Sequence, residues 1–395
     1  EAGVTWRSVD AFFGRESDAD SLARRLDAFV RARQGELLEA LENVIVPEAG
    51  LQPDEALTAS SEALIGATES VWTSLRATLD DFDRQVDDLM KELTGGGNAR
   101  TLGGAIESVR ALKDAALKAD LIGFLADAHW LPSYAFPQDT VKLLVRQGQY
   151  GRRMRLERDR ELGISEYAPG AEIIADGRLF RSRAVMKRGG PFRVRHYRYC
   201  KTCRQLRIAD TSIQAFCGCG GGTSREFIEP QGFQTRASEG VVAPNLSRKR
   251  PTPNTDVFLV GGAPPEAFVE SPLVPGLALA HVRDGRLFRA NEGPRSGRYR
   301  LCLQCGSMPE GSGIHEAPWG SRCNGSRQAL DLAHVFETDT LQVRFTAPRW
   351  SLPGVDNSVF WLSFSTALRN AAAELLNIPT SDLGITYRSE SEISL

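Results

Sequence analysis

All seven cysteines of this 395-residue chain lie between residues 200 and 323, in two clusters separated by more than eighty residues that hold none. An odd number in two tight groups does not suit a secreted disulfide scaffold and points to bound metal in a reducing compartment. In "YCKTCRQLRIADTSIQAFCGCGG", two residues separate Cys200 from Cys203, a thirteen-residue loop follows, and Cys217-Gly-Cys219 closes the set. Four thiolates so spaced fit a closed tetrahedral zinc site, in which each short pair forms a knuckle and glycine lets the backbone turn around sulfur. The single residue inside the last pair is tighter than usual, and two disulfides or free thiols are the competing reading. In the second cluster Cys302, Cys305, His315 and Cys323 offer three sulfurs and an imidazole, with Gly311, Gly313 and Pro318 shaping the loop. The alternative there leaves His315 on the surface and completes a three-sulfur site with water. Four protein ligands leave no position open for substrate, so both ions are expected to be structural. Each would contribute on the order of 10 kcal/mol to folding.

Around these clusters the chain changes character. The apolar positions Leu75, Leu79, Phe82, Val86, Leu89 and Leu93 advance in steps of four and three, which predicts a long amphipathic helix stopped by "TGGGN" at 94–98. A second helix is expected from Ile106 through Leu121, and an earlier one over roughly 18–45. Pro132 and Pro137 deny the chain a continuing helix and mark a domain boundary. Beyond them short β-branched and aromatic runs between glycines and prolines predict small strands. "DGRLFR" occurs at 176–181 and again at 284–289, each time upstream of a cysteine pair, which suggests two related hairpin-plus-metal units. The tail reads as strand, helix, strand. The expected class is α+β: a helical domain over 1–130, a β-rich basic segment with a four-cysteine site over 131–250, and an α/β domain with a three-cysteine, one-histidine site over 251–395.

The net charge of −2 conceals an asymmetry. Residues 1–141 carry 13 basic and 25 acidic side chains, whereas residues 142–207 carry 18 basic and 6 acidic. The cationic segment contains Arg146, Arg152, Arg153, Arg155, Arg158 and Arg160, and then "FRVRHYRY". Strand alternation there puts Arg193, Arg195, Tyr197 and Tyr199 on one face, a cationic and aromatic surface suited to phosphates and unstacked bases. The competing reading pairs these arginines with the acidic helices. Trp130, Tyr134 and Phe136 are expected to pack at the domain junction, "SRKRP" to form a solvated loop, and Glu166 has no visible partner for acid–base work. No run approaches eighteen apolar residues and no signal-peptide pattern opens the chain, so a cytoplasmic fragment of a longer protein is expected, with no membrane partner.

Several separated motifs, "LPSYAFPQDTVKL", "RELGISEYAPGAEIIADGRLF", the first cysteine quartet, "NEGPRSGRYRLCLQCG", "GIHEAPWGSRCNG" and "HVFETDTLQVRF", resemble the MZB-type zinc-binding C-terminal region of bacterial DEAD/DEAH-box helicases. The same region occurs in a companion subunit of the DISARM phage-defence system. The resemblance spans roughly residues 128–395. It places the family's ligands on Cys302, Cys305 and Cys323 with His315 as the fourth, and its Thr-Asp on Thr338 and Asp339. It implies a superfamily 2 helicase or helicase partner that acts on DNA in defence or repair.

This sequence departs from the family in having neither a Gly-x-x-x-x-Gly-Lys-Ser/Thr phosphate loop nor an Asp-Glu-Ala-His box, so ATP would act only through a motor outside it. The Pro-Gly-Gly-rich segment that commonly follows the family's last strand is also missing. The expected role is therefore an accessory, DNA-handling C-terminal region without a catalytic site, using Arg152, Arg153, Arg155, Arg158, Arg193, Arg195 and Tyr197. The alternatives are a scaffold that docks a separate helicase and, third, a nuclease working at one incompletely ligated zinc.

Overall fold

In a computed structural model, the described residues are 8–13, 22–42, 53–127, 140–147, 150, 154, 156–187, 191–239, 253–345, 357–388 and 392–394. Helices come first: α1 (Val9–Phe13), α2 (Leu22–Ala32), α3 (Gln34–Glu42), α4 (Pro53–Thr94), α5 (Ala99–Leu117) and α6 (Leu121–Asp127). The single helix expected over 18–45 is therefore two where it is described. α4 starts well upstream of Leu75, with a proline at its first position, where the missing N–H removes no intrahelical bond. Its apolar seam has two uses. Val71 and Leu75 pack with Val9, Phe13, Leu121 and Leu125, while Leu89, supported by Phe82, Val86 and Leu93, meets Leu102, Ile106 and Val109 of α5.

The glycines end α4 by hydrogen bonding. Gly96 takes φ +93, the Gly96 N–H donates to Leu93 C=O (3.3 Å) and the Gly97 N–H to Glu92 C=O (3.1 Å), a Schellman cap. α5 stops at Leu117, short of the expected Leu121, because α1 lies across the break: the Val9 N–H donates to Ala119 C=O at 3.1 Å.

Strands dominate from Thr140: β1 (Thr140–Leu144), β2 (Leu156–Asp159), helix α7 (Arg160–Glu166), β3 (Glu172–Ala175), β4 (Arg178–Arg181), β5 (Ala184–Val185), β6 (Arg195–Tyr199), β7 (Leu206–Ala209), β8 (Arg225–Ile228) and β9 (Gly232–Gln234). There follow β10 (Phe258–Leu259), β11 (Val269–Glu270), β12 (Leu277–Asn291), β13 (Tyr299–Cys302), β14 (His315–Glu316), β15 (Arg322–Cys323), β16 (Arg327–Phe345), helix α8 (Asn357–Leu376), β17 (Thr386–Arg388) and β18 (Glu392–Ser394). One sheet has the order β2-β1-β9-β5. A second is ten-stranded, with β10-β12-β16-β8-β6-β7 as its path, and β3-β4 and β14-β15 are two-stranded sheets of their own. The spine of the ten-stranded sheet is the antiparallel pair of β12 (15 residues) and β16 (19 residues). The protein is thus α+β, helices first and a mixed region with two cysteine-rich knuckles after them.

Strands from both sides of residue 250 share the large sheet. Val141, Ile164, Tyr167, Phe233, Tyr299 and Leu330 fill one buried cluster, and Tyr197, Phe227, Phe258 and Phe288 another. The expected tail is present: Trp361 of α8 packs on Val343, Phe345 and Tyr387. Pro132, Pro137, Trp130, Tyr134, Phe136 and the "SRKRP" loop lie outside the described residues. Among the described residues, no helix is long and apolar enough to cross a membrane.

The two "DGRLFR" copies fold differently, which corrects the expectation of paired hairpins. In the first, Asp176 (φ 47) and Gly177 (φ 64) make a two-residue turn between β3 and β4. In the second, Asp284 and Gly285 sit inside β12, where the register against β16 shifts between Val282 and Gly285. That shift is a bulge, and it admits only glycine at this position: a Cβ on Gly285 would lie 2.4 Å from Thr340 Oγ1.

Candidate metal centres

What the two units do share is the knuckle. β6 runs into Cys200, whose N–H donates to Gln205 C=O (2.9 Å) while the Arg204 N–H returns to Cys200 C=O (2.8 Å). β13 ends at Cys302, whose N–H donates to Ser307 C=O (2.8 Å) while the Gly306 N–H returns to Cys302 C=O (2.8 Å). In both, the residue after the second cysteine is left-handed, Arg204 at φ 54 and Gly306 at φ 76. The arginine is held in that unfavourable state by its side chain, which lies over Tyr387 (4.4 Å) and bonds Tyr387 C=O (3.2 Å) and Asp256 (3.1 Å). Gly306 has no such latitude, since a Cβ would fall 2.1 Å from Val185 C=O. Gly306→Ala is expected to destabilise the fold by at least about 2 kcal/mol and to weaken metal retention at the second site. Urea unfolding and competition with a chromogenic chelator would measure both.

The four sulfurs of Cys200, Cys203, Cys217 and Cys219 lie within 4.8 Å of one another, as do the ligand atoms of Cys302, Cys305, His315 and Cys323. All seven cysteines are free, so the disulfide reading falls away. The sites differ in depth. Cys219 is exposed in the first, whereas all four ligands of the second are buried.

At the second site β14 and β15 place His315 directly opposite Cys323. Cys302 Sγ is 3.7 Å from Cys323 Sγ, and Cys305 Sγ is 3.2 Å from His315 Nε2. A tetrahedral ion with bonds near ~2.3 Å would hold its sulfurs about 3.8 Å apart. With Nε2 turned to the sulfurs, His315 Nδ1 lies 3.3 Å from Arg327 Nη2 and 3.5 Å from Gly313 C=O, outer contacts of the kind that orient a ring toward a metal. The alternative of a surface His315 is thereby replaced.

The protein already favours one thiolate per site. The Cys305 thiol, then backbone N–H groups, pull Cys302 down to about 4 against the effect of burial. Burial pushes Cys200 up, but the N–H groups of Cys203 and Thr202 and neighbouring thiols outweigh it and bring the group to about 6. Each set offers four soft donors close enough to surround a single ion, which suits zinc and would leave no position for substrate.

Two supporting residues escaped the sequence reading. Arg327 donates to Gly311 C=O and, at 2.5 Å, to Gly313 C=O, bracing the loop that carries His315. It comes to this place through the β13–β16 register, Cys302 opposite Arg327, which no local pattern announces. Trp319, between His315 and Cys323, packs against the second-site cysteines on one side and the α4–α5 cluster on the other.

The basic residues are placed otherwise than expected. Arg152, Arg153 and Arg155 lie outside the described residues. Arg158 Nε bonds Glu166 at 3.0 Å, which gives that carboxylate the partner the sequence did not reveal. Arg193 pairs with Asp210 (3.2 Å), and Arg195 with Asp210 (3.6 Å) and Glu229 (3.8 Å). Tyr197 is 1% exposed and its hydroxyl donates to Asp331 (2.9 Å), so it is core and not a base-stacking surface. The alternation was sound but the direction was not. β6 lies between β8 and β7, and its tyrosine face packs on Phe227, Phe258 and Phe288. The arginines also find their acids within the β region; the side chain that crosses from the basic segment to α4 is Arg146, donating to Gln85 (3.3 Å).

No family model matches the chain. Among solved structures, the crystal structure of the DUF1998 helicase MrfA bound to DNA aligns with 74% of this chain and 34% of its own at 8% identity and a TM-score of 0.26, too distant to argue from. Among curated proteins, the Druantia protein DruE of Escherichia coli (strain UMEA 4076-1) is 24% identical over 295 residues, 65% of this chain. The chain spans 16% of DruE, so the similarity concerns a portion of that protein and not its whole activity.

Proposed function

We propose that this chain is a zinc-stabilised accessory region of a helicase system acting in phage defence or DNA repair, and that it handles DNA beside a motor located outside it. The observation that carries this reading is that His315 Nε2 joins Cys302, Cys305 and Cys323 in one cluster. That is the ligand set the helicase-associated motifs imply, and the motifs surround it in order. The similarity to DruE over 295 residues supports a relationship to a defence protein's portion of like length. In this reading both ions are zinc, they build structure and do no chemistry, and the chain alone hydrolyses no ATP. Arg152, Arg153 and Arg155 remain candidates for phosphate contact, whereas Arg158, Arg193 and Arg195 would have to exchange a carboxylate for a phosphate.

Fluorescence anisotropy with single-stranded and duplex DNA across a salt series tests the DNA role. Binding that weakens steeply with salt is expected, and no binding at low salt would reject it. A second reading, a scaffold that docks a separate helicase, is favoured by the internal neutralisation of Arg158, Arg193 and Arg195. Stable co-elution with a motor subunit in the absence of any DNA affinity would select it.

A further inference from the structure

The connection from β12 to β13, Gly293–Arg298, is built in a way that closing a short turn does not require. Three of its non-glycine residues hold left-handed backbone, Arg295 (φ 54), Ser296 (φ 56) and Arg298 (φ 61), beside Gly293 at φ 79. L side chains avoid that region, and a run of such residues persists only where the surroundings impose it; strain of this kind gathers at ligand clamps and switches.

The surroundings here are explicit. Asn291, fully buried, accepts the Gly293 N–H (3.0 Å) and the Tyr299 hydroxyl (2.8 Å) on Oδ1, and donates from Nδ2 to Ile164 C=O (2.8 Å). The Arg298 N–H donates to Glu292 C=O (2.9 Å), and its guanidinium donates to Glu226 C=O (2.8 Å) and lies 3.7 Å from Asp331. A Cβ at Gly293 would meet the Arg298 backbone at 2.9 Å. The base of the loop is therefore rigid, while its tip, Pro294 through Gly297, is exposed.

The exposed tip above that rigid base presents charge. Arg295 stands on it, and Arg300, two residues beyond the anchored Arg298, projects from β13 on the side opposite the buried Tyr299 and Leu301. Both are exposed, and among the described residues neither has an acidic partner, in contrast to Arg158, Arg193 and Arg195. Guanidinium forks held on fixed backbone suit phosphate oxygens, and a pre-set loop gives up little freedom on binding.

We propose that this strained loop is a clasp for the phosphodiester backbone of a nucleic-acid strand, with Arg295 and Arg300 as its phosphate-contacting residues. The inference rests on the DNA-handling reading above and assigns it a surface that the basic segment does not include.

The test is anisotropy titration of fluorescein-labelled single-stranded and duplex DNA in a potassium chloride series, using the parent chain, R295A/R300A and S296G. Removing two phosphate contacts should lower the slope of log affinity against log salt by about 1 to 2 and weaken binding roughly tenfold or more at low salt. Zinc content and unfolding midpoint should stay at the parent values. S296G relieves the backbone, so its midpoint should equal or exceed the parent's, yet its affinity should fall several-fold because the loop is no longer pre-set; a loop with only a structural role would leave affinity untouched. If the parent binds DNA and R295A/R300A binds with the same affinity and slope, the clasp is wrong while the DNA role stands. If the parent binds no DNA even at low salt, the clasp falls together with the reading beneath it.

Discussion

Replacing Cys305 with serine is expected to lower the zinc content from two ions per chain to one and to detach the helices from the strand region. The second site lies inside the protein, all four ligands buried, and the segment between His315 and Cys323 is its link to the helices. Trp319 in that segment touches the ligand cysteines and the α4–α5 cluster together. Next to it, the Arg322 N–H donates to Glu92 of α4 at 2.9 Å. Arg146 fills the remaining space, 6% exposed, donating to Gln234 (2.7 Å) and Gln85 with its guanidinium 5.7 Å from the Trp319 ring. Loss of the ion removes on the order of 10 kcal/mol from whatever it folds, and the docking contacts go with it. Limited proteolysis should then cleave between the helices and the strands, with elemental analysis reporting the lost zinc. Trp319→Ala separates the two effects, keeping both ions while weakening the docking by about 3 kcal/mol. Retention of two zincs by the Cys305 variant would overturn the ligand assignment.

Asp331→Ala should be the most damaging change away from the metals. Asp331 is 0% exposed and receives both Arg225 Nε (2.7 Å) and Nη2 (2.8 Å), the Tyr197 hydroxyl, and Arg298 at 3.7 Å. Removing the acid strands the Arg225 charge beside a buried phenol, at a loss of about 3–5 kcal/mol in urea unfolding. Arg225→Met combined with Asp331→Leu should recover part of that, since the closest pair leaves together, while Arg298 keeps Glu226 (3.8 Å) and Glu292 keeps the Tyr197 hydroxyl (3.2 Å). The same cluster predicts an alkaline limit. Burial, then the charges of Asp331 and Glu292, hold the Tyr197 phenol above its ordinary value of 10.0. As the pH passes about 10 the unfolded chain gives up this proton and the folded chain keeps it, so stability present below that pH is lost above it. An unfolding midpoint that stays level beyond pH 10 in the parent but falls in Tyr197→Phe would contradict this.

How much of this was legible in the sequence follows from which forces are local. The α4 seam was readable because helical period alone assigns Leu75, Leu79, Phe82, Val86, Leu89 and Leu93 to one side. The two four-residue clusters were readable because a knuckle is a local structure whose cysteines stand close together in sequence. Sidedness was not. Alternation said that Arg195, Tyr197 and Tyr199 share a face, but both faces of β6 carry aromatic and basic side chains, and only the packing of Phe227 and Phe288 decides which one is inside. Six identical residues could not specify a hairpin twice either, because the second copy pairs along its length with β16, and its Asp-Gly becomes a bulge inside that long strand. Charge counting had the same blind spot: Arg146 entered the sum as a cation open to phosphate, whereas it is buried and donates to Gln234 and Gln85.

The 42 residues of α4 make a rod roughly 60 Å long. Glu92, near one end, is fastened to the loop that carries Trp319. A tilt of about 5° at that fastening would sweep the other end through about 5 Å at such a length. Small adjustments around the buried Cys302–Cys323 cluster would in this way be geared into displacements of several ångströms at the far end of α4.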